Sequence, residues 1–130
     1  MIRVLVVDDS PVERKVLMTG LSRDPEIEVV ATAPDPYAAR NLIVQLKPDV
    51  LILDVEMPRM DGVTFLKKLM HYYPIPVVMV SSHVGQGSDI VVRALDAGAV
   101  DVVAKPTTGR TPREMLDELA EKIKMAVRSK

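Results

Sequence analysis

Carboxylates, a hydroxyl and an ammonium stand at the ends of aliphatic runs in this sequence. Val4–Val7 leads into Asp8-Asp9, Val50–Leu53 into Asp54, Val77–Val80 into Ser81-Ser82, and Val100–Ala104 into Lys105-Pro106. A carboxylate placed directly after a buried strand costs free energy unless partners or water meet it. Several brought together repel and raise one another's pKa unless a cation joins them. Oxygen ligands with few protein donors suit Mg2+, which demands near-octahedral geometry and keeps several waters. Such an ion commonly bridges carboxylates to a phosphoryl group. One of the carboxylates would then accept that group as an aspartyl phosphate. Lys105 would neutralise phosphoryl oxygens, and Ser81 would donate a hydrogen bond to another. Taken singly the residues are ordinary. An Asp after a strand often caps a helix, Asp8-Asp9 can be a charged approach to Ser10, and a lysine is most often solvated. The chemistry rests on whether the fold carries all of them to one rim.

The elements that must do so are legible as five aliphatic runs with helical patterns between them. Four runs are near-continuous and rich in valine, as parallel strands buried on both faces require. The fifth, Ile27–Ala31, contains Glu28 and alternates more, which places it at a sheet edge. Helix starts follow. Ser10-Pro11-Val12-Glu13 and Thr111-Pro112-Arg113-Glu114 read as capping boxes with proline at the first helical position. Asp35-Pro36, Asp61-Gly62 and Ser88-Asp89 open the other three helices. Asp24-Pro25, Lys47-Pro48, Tyr73-Pro74 and Gly98 mark the stops. In the last helix Met115, Leu116, Leu119, Ile123 and Val127 form an apolar stripe. Acids crowd its first turns and Lys122, Lys124 and Arg128 its end, as the helix dipole favours. Strands alternating with helices predict an α/β, flavodoxin-like fold: a five-stranded parallel sheet of order 2-1-3-4-5 with five helices on both faces. That order puts the topological switch between the first and third strands, where ligands bind at the strands' carboxyl ends. All the candidate residues fall there.

Length and composition bound the rest. The 130 residues make one domain, with a core over 1–125 and with 126–130 as a tail or the start of a linker. A net charge of −1 gives no case for a nucleic-acid surface. Cysteine is absent, which excludes disulfides and thiolate chemistry. No apolar run approaches the roughly 20 residues of a membrane span, and the start lacks the features of a signal peptide. The expectation is a cytoplasmic domain without membrane insertion.

Val6-Val7-Asp8-Asp9-Ser10, the stretch Asp54-Val55-Glu56-Met57-Pro58-Arg59-Met60-Asp61-Gly62, Val80-Ser81-Ser82 and Lys105-Pro106 resemble the motifs of two-component response-regulator receiver domains. They occur in the family's order and span nearly the whole chain. The resemblance implies that Asp54 is the phosphoacceptor. It implies Mg2+ ligation by Asp9, Asp54 and the backbone carbonyl of Glu56, with Asp8 acting through a water. Ser81 would be the switch hydroxyl, Lys105 the phosphoryl-contacting lysine, and the Lys105-Pro106 bond cis. The donor would be a sensor histidine kinase. Asp24-Pro25-Glu26-Ile27-Glu28-Val29-Val30, Ala33-Pro34-Asp35-Pro36-Tyr37-Ala38-Ala39-Arg40, Val78-Met79-Val80-Ser81-Ser82 and Gly98-Ala99-Val100-Asp101 are similar to the N-terminal receiver of chemotaxis protein-glutamate methylesterases. The implied partners are a chemotaxis-type kinase and a C-terminal methylesterase domain of the native polypeptide. No Gly-x-Ser-x-Gly occurs in this chain, and His71 and His83 have no matching triad partners. Where the family usually carries an aromatic switch residue this chain has Val102, small and stiff, and α-helical Val92 offers a further outward contact. The alternatives are a stand-alone receiver or one from a DNA-binding regulator. An aspartyl-phosphate phosphatase is disfavoured because its two acids usually stand two residues apart after the first strand, not adjacent as Asp8-Asp9 are.

Overall fold

Each aliphatic run becomes a strand. In the computed structural model, which describes residues 1–58, 60–85, 89–106 and 109–128, the elements alternate strictly. They are β1 (Ile2–Val7), α1 (Pro11–Leu21), β2 (Ile27–Ala33), α2 (Pro36–Leu46), β3 (Val50–Asp54), α3 (Gly62–Tyr72), β4 (Val77–Ser81), α4 (Ile90–Ala97), β5 (Asp101–Ala104) and α5 (Pro112–Arg128). The strands form one sheet in the order β2-β1-β3-β4-β5, and every pairing is parallel. This is the expected flavodoxin-like topology. Arg59, Gln86, Gly87 and Ser88 fall outside the described residues, and so does the end of the expected tail at 129–130.

Alternate residues of each inner strand feed two separate cores. Leu5, Val7, Leu51, Leu53 and Met79 point towards α2, α3 and α4. Val4, Val6, Ile52, Val78 and Val80 point towards α1 and α5. Burying both faces is why these strands read as continuous valine-rich runs rather than as alternating ones. β2 is an edge strand, as expected, with Glu28 exposed, and it runs two residues further than its hydrophobic pattern suggested. The stripe of α5 is confirmed: Met115, Leu119 and Ile123 are buried, joined by Ala126, with Leu116 and Val127 packed against them.

Two caps behave differently. At α5 the box is complete, Glu114 N donating to Thr111 Oγ1 (3.1 Å) and Thr111 N to Glu114 Oε1 (2.9 Å). At α1 only half forms. Glu13 N donates to Ser10 Oγ (3.2 Å), but the Glu13 carboxylate takes Lys105 Nζ (3.0 Å) instead. An ammonium is a stronger partner for a carboxylate than a neutral amide. Asp35 and Asp61 cap α2 and α3 as expected, whereas Asp89 makes no side-chain cap. Gly98 closes α4 at φ 116, a left-handed conformation that glycine adopts without strain. The cis bond expected before Pro106 is not found, since no peptide among the described residues is cis. A trans bond is the ordinary preference even before proline.

Candidate functional site

Among the described residues only three polar side chains are buried, Asp8 and Asp54 at 1% exposure and Ser81 at 0%. All three were singled out from the sequence, and all lie at the carboxyl ends of the central strands. The sheet order sets β1, β3 and β4 side by side. β5 adds Lys105 at the far side, tied to β4 by its backbone amide donating to Ser81 O (2.9 Å).

Lys105 is the hub. Its Nζ lies 3.1 Å from Asp54 Oδ1, 3.0 Å from Glu13 Oε2 and 3.9 Å from Asp8 Oδ2. Burial works against its charge, but Asp54, Glu13 and Asp8 outweigh it and hold its pKa above the usual lysine value. Asp54 Oδ1 also accepts from Glu56 N (3.1 Å). Its other oxygen, Oδ2, is buried without a hydrogen-bond partner. Burial pushes the Asp54 carboxyl up to about 6, against the pull of Lys105. Asp8 is pushed up to about 7, again first by burial, with Ser10 N opposing and Asp54 adding. Its Oδ1 accepts from Ser10 N (2.9 Å).

Glu56 does something the sequence did not announce. Its carboxylate turns to the end of β4, where Oε2 accepts from Ser81 Oγ (2.6 Å) and Oε1 from Ser82 N and Ser82 Oγ (both 3.0 Å). Burial opposes its ionisation, but these bonds together with Lys105 hold its pKa below the usual value. Ser81 Oγ in turn accepts from His83 N (3.0 Å). A serine has one hydrogen to donate, and here Glu56 holds it.

The loop between β3 and α3 is closed by backbone. Gly62 N donates to Val55 O (2.7 Å), which brings the start of α3 against the strand end. A Cβ at Gly62 would overlap the Asp54 backbone oxygen and lie 2.8 Å from Met79 Cε and 2.9 Å from Val55 Cα. Gly62→Ala is therefore expected to destabilise the fold by about 1–3 kcal/mol, the usual scale of overpacking. Urea unfolding of the variant checks it, and an unchanged midpoint would refute the close approach.

The carboxylates whose oxygens converge within 4.8 Å of one another are Asp8, Glu13 and Asp54. Glu13 was read from the sequence only as a cap. Asp9 is exposed and stands outside this group. Three hard oxygen donors fit a small divalent cation, and Asp54 also has a buried Oδ2 without a hydrogen-bond partner. The Ser81 hydroxyl joins the site through Glu56 rather than through the Lys105 ammonium. Of the remaining candidates, His71 is exposed and stacks edge-on to Tyr72 at 4.5 Å. His83 lies exposed beside the site. Val102 is buried in the core under α3 and α4, and Val92 is 61% exposed on α4.

A parallel sheet of order β2-β1-β3-β4-β5 with a buried acid–lysine cluster at its switch point is the arrangement of a receiver domain. The sequence matches the response regulator receiver domain family over residues 4–119, and the chain belongs to it. A curated relative, the protein-glutamate methylesterase/protein-glutamine glutaminase of Syntrophotalea carbinolica, is 61% identical over 127 residues, which is 96% of this chain and 36% of that protein. The response regulator domain of Thermotoga maritima CheB superposes with a TM-score of 0.90 at 42% identity, over 98% of this chain and 97% of that one. A chain of the CheX–CheY–BeF3–Mg2+ complex from Borrelia burgdorferi is also similar, with a TM-score of 0.80 at 27% identity, over 99% of this chain and 90% of that one. Within the family this receiver resembles those of CheB-type chemotaxis methylesterases. The chain spans about a third of the length of the curated relatives it matches. No helix among the described residues is long and apolar enough to cross a membrane.

Proposed function

We propose that Asp54 accepts a phosphoryl group from a sensor histidine kinase of the chemotaxis type, and that the modified domain controls a methylesterase and glutaminase output domain on the same cytoplasmic polypeptide. The observation that carries this reading is Asp54 itself: a buried carboxylate with one oxygen on Lys105 and the other without a partner. That second oxygen is the nucleophile. It forms the new P–O bond as the donor's P–N bond breaks, and the donor imidazole leaves. Asp54 must be ionised to attack, and a pKa of about 6 leaves it so at neutral pH. Lys105 meets a phosphoryl oxygen without reorganising, because it already sits 3.1 Å from the attacking carboxylate. Ser81 meets another once Glu56 gives way.

Asp9, Asp54 and the Glu56 backbone carbonyl would hold Mg2+ directly, with Asp8 acting through a water and Glu13 close by. The ion would offset the negative charge that gathers between Asp54 and the incoming phosphoryl oxygens. The complex of the Borrelia burgdorferi neighbour contains Mg2+ and BeF3, which supports a cation here, as do the converging carboxylates of Asp8, Glu13 and Asp54. Asp9 is exposed and outside the converging group, so an ion at the rim would have to draw its side chain inwards. Asp9→Ala is expected to weaken Mg2+ binding by about tenfold or more, the scale on which even outer partners of a metal act. Calorimetric titration with MgCl2 measures it, and an unchanged isotherm would exclude Asp9 as a ligand. The reading as a whole is tested by incubating the chain with acetyl phosphate and Mg2+. One hydroxylamine-sensitive phosphoryl group per chain is expected, and its absence would end the proposal.

A further inference from the structure

All four aromatic residues of the chain, three tyrosines and one phenylalanine, line one cavity. Tyr37, Phe65, Tyr72 and Tyr73 surround about 600 Å3 between α2 and α3, in a lining that shares no residue with the cluster of Asp8, Glu13, Asp54 and Lys105. Chance does not favour such a gathering in a sequence only 3% aromatic. Nor is it all core: Phe65 is buried and Tyr73 packs against the core, but Tyr72 is 79% exposed, and Tyr37 and the neighbouring Val44 are also exposed. A lone exposed apolar side chain is ordinary, but a contiguous set around a concavity marks an interaction surface.

The walls have a regular form. Tyr37, Arg40 and Val44 repeat at spacings of three and four along α2, and Phe65, Lys68 and Tyr72 do the same along α3. Each helix therefore shows the groove a stripe of its own. Both helices run counter to the parallel strands, so they lie alongside one another. A trough between two such helices is shaped for a third. Each wall has 11 residues, which spans roughly 16 Å, or about three turns of a bound helix.

Charge narrows the occupant. The lining holds two cations, Arg40 and Lys68, and no carboxylate. Among the described residues neither cation makes an ion pair. A second copy docked about a two-fold axis would set its own Arg40 and Lys68 against these, and like charges facing each other oppose association. We propose that the α2–α3 groove is a docking site for an acidic amphipathic helix of a partner protein, its apolar face on the tyrosines and its carboxylates on Arg40 and Lys68. This site is separate from the phosphoacceptor rim and does not depend on its chemistry.

The test is a two-dimensional amide NMR titration of the full chain with two synthetic helical peptides of roughly 14 residues. Both carry leucines at i, i+3, i+4 and i+7; one is flanked by glutamates, the other by lysines. The acidic peptide is expected to bind with shifts confined to α2 and α3, and the basic one not to bind. Arg40→Glu, Lys68→Glu and Tyr72→Ala alter exposed side chains and leave the fold intact, and each is expected to weaken binding by about tenfold. No binding, equal binding of the two peptides, or shifts on other helices would overturn the proposal. So would groove resonances that move with protein concentration alone, which would give the site to a second copy.

Discussion

Replacing Asp54 with asparagine is expected to abolish labelling by acetyl phosphate in Mg2+, leaving only background. The amide keeps the shape of the side chain and can still accept from the Glu56 amide, so the loop after β3 keeps its anchor. What it lacks is the charged oxygen. An amide oxygen is a poor nucleophile, and it is also a weaker partner for Lys105, which sits 3.1 Å away. The neighbouring acids do not substitute. Asp8 has Oδ1 committed to Ser10 N and is pushed up to about 7, so it is partly protonated at neutral pH. Asp9 is exposed and lies outside the cluster around Lys105. Intact-mass measurement before and after hydroxylamine decides the matter, and undiminished labelling of the variant would remove Asp54 from the role.

The second large effect is on stability. Asp8 and Asp54 both hold their protons more tightly in the folded chain than the ordinary carboxylate value of 3.8. Below about pH 4 both states are protonated at these sites and their contribution is fully present. As pH rises the unfolded chain releases the protons first. The folded state then binds more protons than the unfolded one, so stability must fall with pH through about 6 for Asp54 and about 7 for Asp8. Asp54→Asn removes its share of that loss. In EDTA at pH 8 the variant is expected to be more stable than the parent by roughly 1–3 kcal/mol, and near pH 4 the advantage should vanish. Adding Mg2+ should narrow the gap by stabilising the parent, because an ion that binds only the folded state adds to its stability. Urea unfolding at several pH values, with and without Mg2+, gives all of these differences. A variant less stable than the parent at pH 8 would show that Lys105 outweighs burial at this site.

The fold was legible because its signals are local. Continuous valine-rich runs, caps and proline stops lie within a few residues of what they determine. Asp8, Asp54 and Ser81 were also legible, since a polar residue closing a buried strand stands out in one dimension. Glu13 was not. Its position three residues after Ser10 has a sufficient local explanation, and the residue that diverts it, Lys105, lies 92 positions away. Glu56 was noticed for its backbone carbonyl, while its carboxylate reaches Ser81 across 25 positions by a loop path that no spacing rule describes. The aromatic groove was hidden for a related reason. Tyr37 and Phe65 become neighbours only because the sheet order places α2 and α3 on the same face. The cis Lys105-Pro106 bond was an expectation from resemblance alone, with nothing local to support it.

The bond from Ser81 to Glu56 has a consequence for any ligand that engages this hydroxyl. Its single hydrogen is already spent, so a phosphoryl oxygen can win it only by substitution, and the tally of hydrogen bonds stays the same. Bonds to charged acceptors are each worth roughly 1.5–3 kcal/mol, but the net gain is the difference between two of them. Engagement at Ser81 is therefore a contest between two anions of similar strength. A hydroxyl wired in this way sits near balance, and a small preference in either direction is enough to tip it.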